Sequence, residues 1–401
     1  MVAVDPAIDA ASDWAGSGLA YLTGPPDGEP DFSRAAVLTE ARRLAADIAG
    51  LVGVEVDAPT MLTGRAAILG LTRGGRVSAG GATRLLATAD GWCAIALPRP
   101  DDVAALPALL ETDAVPHNPW TVLSAWAATH STEAVVRRGQ LLDIAVAGLG
   151  EVSAEPPVVR RCGGVGARRG VDGLLVADLS SLWAGPLCGQ LLARAGAVVV
   201  KVESPRRPDG TRSGERAFFD WMNFGKLSYA VDFDDKTDGL RRLLTAADIV
   251  IEGSRPAALR RRQLTPDDLP GRIGRIWLRI RGYSGQPYRT AFGDDAAVAG
   301  GLVGAGTPGP VFCGDAIADP LTGLEAVRAV GQSLRRGGGE VIDVSMAQVA
   351  ARYAALPRTS WSSAVPVLRP QPPPPGPSAS PLGADNSAVC HIVSERTCAP
   401  C

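Results

Sequence analysis

The chain has 401 residues, 46% of them hydrophobic, enough to bury a large core and to divide into two lobes. A formal net charge of −2, from 40 Lys and Arg against 42 Asp and Glu, argues against a nucleic-acid binder, which carries a strong basic excess. No apolar run reaches about 18 residues and no opening segment has the form of a secretory signal, so a soluble, cytoplasmic protein without a membrane partner is expected.

In chain order, residues 1–150 alternate helical and extended patterns. AAVLTEARRLAADIAGLV (35–52) repeats apolar residues at helical spacing, and TRLLATADGWCAIAL (83–97) reads as two strands around Ala89-Asp90-Gly91. Residues 119–150 read as a helix pair, with Ser131 and Thr132 as candidate caps for the second. Residues 151–171, with Pro156-Pro157, Arg160-Arg161 and several glycines, read as a linker.

From 172 the pattern becomes βαβ. GLLVADLS (173–180) is a continuous apolar strand, as in a parallel sheet covered on both faces. Pro186 suits a first helical turn. Leu187, Cys188, Leu191, Leu192 and Ala195 make one apolar face, and Gly196 ends the helix. VVVKVE (198–203), LSYAVDF (227–233), ADIVIEG (247–253) and RIGRIWLRIRGY (272–283) supply further strands. The fold class expected is α/β, a Rossmann-like doubly wound parallel sheet plus a smaller α+β domain. The divisions expected are a small domain over 1–150, a linker over 151–171, the large domain over 172–356 and a proline-rich tail over 357–401.

Several chemistries lack support. His117, His130 and His391 have no GxSxG or HExxH around them, and no GxxxxGK[ST] loop is present. The βα turn at 178–189 lacks G-x-G-x-x-G, which disfavours NAD. Cys93, Cys162, Cys188 and Cys313 read as reduced, buried thiols. The terminal CHIVSERTCAPC, with Cys390, His391, Cys398 and Cys401, could hold a metal or redox site or be a frayed tail. Lysine occurs only at Lys201, Lys226 and Lys236 while arginine is abundant, and arginine forks suit phosphate and carboxylate.

The stretch from 178 to 205 resembles the opening of the class III CoA-transferase family (CaiB/BaiF), which includes formyl-CoA transferase, carnitine CoA-transferase and α-methylacyl-CoA racemase. The matching pieces are Asp178-Leu179-Ser180, Ala184-Gly185-Pro186, the helix from Gln190 to Ala197, and Lys201-Val202-Glu203-Ser204-Pro205. The likeness continues through Asp209-Gly210-Thr211-Arg212, the run from Asn223 to Ser228, Ala247–Glu252 with Arg255-Pro256, and Gly282-Tyr283-Ser284-Gly285-Gln286-Pro287.

The resemblance implies that the sheet binds coenzyme A as a substrate, with no permanently bound cofactor and no metal. It points to CoA contacts at Ser181, Trp183 and Ala184, and to phosphate contacts from Arg206, Arg207, Arg255 and Arg261. It makes Asp319, in Ile317-Ala318-Asp319, the nucleophile, with Asp315 as the competitor; either could instead cap the helix that follows. The family's glycine loop over the aspartate resembles Ser78-Ala79-Gly80-Gly81-Ala82, which implies that Gly80 and Gly81 take part in catalysis.

The order is unusual, because this loop precedes the aspartate here and follows it in ordinary members. SGLAYLTGPPDGEP (17–30) also echoes AGGLVGAGTPGPVF (299–312), as though the N-terminal part held a degenerate copy in which Asp319 has its counterpart near Asp31 to Ser33. The implied function is CoA transfer between an acyl-CoA and a carboxylic acid through aspartyl anhydride and aspartyl-CoA thioester, in a homodimer. Two alternatives stand. One is a 2-methylacyl-CoA racemase, whose histidine is replaced by Asp294 in Gly293-Asp294-Asp295. The other is a catalytically degenerate CoA-binding subunit.

Overall fold

The structure, a computed structural model, describes residues 6–114, 117–234, 237–253, 256–359 and 366–398. Its strands are β1 (Thr83–Ala87), β2 (Trp92–Ala96), β3 (Ala145–Gly148), β4 (Val158–Arg161), β5 (Leu175–Asp178), β6 (Val198–Glu203), β7 (Leu227–Ala230), β8 (Ile249–Glu252), β9 (Ile276–Arg281), β10 (Val303–Gly304), β11 (Val311–Phe312) and β12 (Glu340–Ser345). The main sheet has seven strands in the order β4-β12-β9-β8-β5-β6-β7. All its pairings are parallel except β4 against β12. Counted from β5, the six parallel strands follow 3-2-1-4-5-6, the doubly wound order, with its switch between β5 and β8.

Strand alternation explains why both faces are covered. Val176, Ile249 and Ile251 point into one core, shared with the helices Ala184–Arg194 and Ala318–Arg335. Leu175, Ala177 and Val250 point into the other, beneath the helices Thr237–Ala246 and Asn386–Cys398. Such strands read as unbroken apolar runs, which is how they were recognised.

Three expectations are revised. Residues 6–69 do not join the small domain: Trp14, Leu19, Leu38, Ile48 and Leu62 lie in the first core of the large sheet. The small α+β unit is β1-β2-β3 with the helices Pro119–Ala128 and Thr132–Leu141, and its own core runs through Ile95, Leu123, Val135 and Val146. The linker carries β4, an edge strand exposed along its whole length, so no buried alternation marks it in the sequence. The tail ends in the helix Asn386–Cys398, anchored by Val389, Val393 and the Arg396–Asp248 ion pair at 2.7 Å. Cys401 lies outside the described residues.

The echoed segments pack together. Gly314 N–H donates to Thr23 Oγ1 at 3.0 Å, and Ala305 N–H donates to Asp31 Oδ2 at 3.0 Å. Asp31 also accepts from Ser33 N–H and Oγ, so this carboxylate serves as a structural bracket.

Candidate active site

Asp319 stands in the first turn of the helix Ala318–Arg335, partly exposed. Ile317 is that helix's cap residue and no side chain caps the turn, so the Asp319 carboxylate is not consumed as a cap. It accepts a hydrogen bond from Ala184 N–H, at the start of the helix Ala184–Arg194. Burial pushes its carboxyl up to about 7; Arg65 opposes the rise, and Asp294 and Asp315 add to it. Asp315 is closed off: it is 1% exposed and holds Arg65 Nη1 at 2.6 and 2.8 Å.

Arg65 comes from the helix Ala58–Leu69, 250 residues away from Asp315 in sequence. Its guanidinium lies over the rings of Trp183 and Phe218, 5.6 and 5.7 Å from their centroids. Its Nη2 faces the glycine turn, 3.7 Å from where a Cβ on Gly80 would stand. That turn is closed by Gly81 N–H to Ser78 O at 2.8 Å, with Gly81 at φ +79°. Thr83 Oγ1 donates to Asp294 Oδ2 at 3.3 Å, and Ser78 also bonds that carboxylate. The Asp294 carboxyl is pushed to about 6, first by burial and then by the charge on Asp315.

Two non-glycine residues in left-handed backbone flank the site: Leu182 at φ 71° and Ala316 at φ 43°. Each is held by a carboxylate. Leu182 N–H lies 3.2 Å from both Asp209 oxygens, and Ala316 N–H donates to Asp294 Oδ1 at 3.0 Å. Strain of this kind persists only where the surroundings over-determine it. Behind Leu182, Lys201 Nζ donates to Ser180 O at 2.5 Å and to Asp209 at 2.7 Å. Lys226 Nζ pairs with Asp178 at 2.9 Å, both groups fully buried. Two of the three lysines therefore brace the βα turn that carries Ala184.

The structure brings Asp319, Ala184, Trp183 and Gly80 to one place through Arg65. The other expected CoA contacts are dispersed. Ser181 is exposed in the βα turn, and Arg206 and Arg207 are exposed after β6, with Arg206 paired to Asp232 at 3.0 Å. Arg261 is exposed after the short helix Pro256–Arg260, and Arg255 lies outside the described residues. A cavity of about 400 Å³ opens near the ends of β8, β9 and β12, with Glu252, Arg260, Arg279, Arg281 and Asp343 in its walls; none of the aspartates around Arg65 lines it. Sequence reasoning missed Arg65, whose one signal is a lone charge in the apolar helix APTMLTGRAAIL. Among the described residues no group of His, Cys, Asp and Glu is arranged to hold a metal ion, and no helix is long and apolar enough to cross a membrane.

The sequence profile of CoA-transferase family III matches residues 171–381, and the chain belongs to this family. It is 32% identical over 199 residues to succinyl-CoA–D-citramalate CoA-transferase of Chloroflexus aurantiacus, covering 44% of this chain and 49% of that protein. It is 34% identical over 201 residues to a probable fatty acyl-CoA transferase of Mycobacterium tuberculosis, covering 45% and 51%. A crystal structure of a hypothetical protein from M. tuberculosis aligns over 46% of this chain and 57% of that one, with 32% identity and a TM-score of 0.43. The chain spans about half the length of the curated relatives it matches.

Proposed function

We propose that the chain transfers CoA between an acyl-CoA thioester and a carboxylic acid, with Asp319 as nucleophile. The observation that carries this reading is the setting of Asp319: a partly exposed residue whose carboxylate is free of capping duty, with a helix-start N–H on it and the Gly80 turn of the same chain facing the Arg65 beside it. The relatives named for CoA transfer between acids, including a succinate–glutarate CoA-transferase, support the same reaction class.

Asp319 Oδ attacks the thioester carbonyl, forming an acyl–oxygen bond as the carbon–sulfur bond breaks and CoA leaves as thiolate. The thiolate attacks the Asp319 carbonyl carbon of the anhydride and releases the first acid as carboxylate, leaving aspartyl-CoA thioester. The acceptor carboxylate attacks that thioester, giving a second anhydride and CoA thiolate. Attack of the thiolate on the acceptor's carbonyl regenerates Asp319 and completes the exchange without net proton transfer. Ala184 N–H and the Gly80 N–H are the donors proposed to meet the oxyanions, joined by the Gly81 N–H once it leaves Ser78 O. The βα turn at Ser181, Trp183 and Ala184, with Arg206, Arg207, Arg255 and Arg261, is proposed to hold CoA. A homodimer is proposed on family resemblance alone.

Intact-protein mass spectrometry after mixing with a panel of acyl-CoAs tests the reading. Wild type gains a mass that hydroxylamine removes and Asp319→Ala gains none; no adduct with any acyl-CoA refutes it and supports a CoA-binding subunit. A second reading, proton exchange at the α-carbon, rests on Asp294, whose raised carboxyl lies in the same cluster as Asp319. Deuterium washout from a 2-methylacyl-CoA separates the two.

A further inference from the structure

The transfer proposed above brings a second anion, the acceptor carboxylate, to a site that already holds Asp294, Asp315 and Asp319. Asp319 is by then the uncharged aspartyl-CoA thioester, but the Asp294 and Asp315 carboxylates still repel the incoming anion unless a cation faces it. Arg65 acts electrostatically on all three. Its hydrogen bonds to Asp315 both run from Nη1, and among the described residues no hydrogen bond engages its Nε or Nη2. The aromatic rings of Trp183 and Phe218 flank the guanidinium, and Nη2 faces the Gly80 turn. Trp183 Nε1, buried and also without a partner, lies on one of those rings.

We propose that Arg65 is the binding residue for the acceptor carboxylate, receiving it on Nη2 between the Gly80 turn and Asp319. An open guanidinium edge matches the planar carboxylate by charge-assisted hydrogen bonds, and the same edge receives the first acid as it leaves. Gly80 keeps the approach clear, since its Cβ would fall in contact distance of Nη2. The proposal rests on the CoA-transfer reading and extends it to how the second substrate is recognised.

The test uses the acyl-CoA that labels Asp319 in wild type, with its own acid, 13C-labelled, as acceptor; by reversibility that acid must be accepted. Discharge of the aspartyl-CoA is followed as 13C-acyl-CoA formed with the acid and, in a parallel run, as free CoA released by neutral hydroxylamine. In Arg65→Gln and Arg65→Lys, discharge to hydroxylamine persists, whereas discharge to the acid falls about 10- to 100-fold, chiefly through KM, and labelling of Asp319, its microscopic reverse, slows in step but still reaches completion. Methylguanidine restores part of the loss in Arg65→Ala. An equal fall with both acceptors overturns the proposal, because a residue that only shapes the site does not distinguish anion from neutral nucleophile. Should the variants fail to fold, modification of Arg65 by phenylglyoxal in wild type decides: the acid slows it and the matching amide does not, and equal rates overturn the proposal. Absence of any label on wild-type Asp319 removes the transfer reading itself, a distinct outcome.

Discussion

A methyl group on Gly293 would overlap Asp319 Oδ2 and the Ala316 carbonyl oxygen. The start of the helix Gly293–Ala299 is thus pressed against the carboxylate, and only the absence of a side chain leaves Asp319 its position. Gly293→Ala is expected to displace the carboxylate and lower transfer by about 100-fold. The cost in stability is expected at about 1–3 kcal/mol, as for other overpacking changes. Steady-state kinetics beside a urea melt reads both; an active variant shows that the position is not required.

The rate is expected to depend on the ionised form of Asp319. Its carboxyl titrates at about 7, so kcat/KM should rise about tenfold per unit below that pH and level off above it. A profile flat from pH 5 to 8 contradicts the nucleophile assignment.

The same raised carboxyl has a stability consequence. Its folded value, about 7, exceeds the ordinary 3.8, so across that window the native state keeps a proton that the unfolded chain releases. Stability from this group therefore falls as pH rises from about 4 to about 7. Asp319→Asn removes the effect, and the variant is expected to be more stable than wild type by about 1–2 kcal/mol at pH 8, with a smaller gain at pH 5. Denaturant melts at the two pH values measure it, and a larger gain at pH 5 reverses the sign and refutes it.

Ala316 holds left-handed backbone between Asp315 and Asp319. Ala316→Gly relieves that strain and is expected to match or exceed wild-type stability by up to about 1 kcal/mol. Loosening the link to Asp294 is expected to lower turnover. A clear destabilisation shows that the conformation carries no strain.

The buried Lys226–Asp178 pair braces the turn before Ala184. Lys226→Met leaves the Asp178 charge without this partner and is expected to cost about 3–5 kcal/mol. The double change Lys226→Met with Asp178→Leu should cost less than Lys226→Met alone. Calorimetric melts of the three proteins decide the order.

The βα unit at 173–203 was legible because its signals are local. An apolar run, a proline-started helix and a glycine stop describe one strand–helix–strand passage without reference to the rest of the chain. The helix Asn386–Cys398 was not, since its buried side is narrow, with Val389 and Val393 set among polar residues. The edge strand β4 escaped for a related reason: exposed on both sides, it leaves no pattern of burial to read.

By itself the sequence determined the parallel strands, as apolar runs a few residues long, while the helix that carries Asp319 and the glycine turn at Gly80–Gly81 were expected from the family resemblance. Only the tertiary structure decided that Arg65 faces that turn and acts on Asp319, that Asp315 is tied up by Arg65, and that residues 6–69 belong to the large core. The physical reason is that a charge on an apolar helix is unassigned until packing supplies its partner, and the partner here stands 250 residues away.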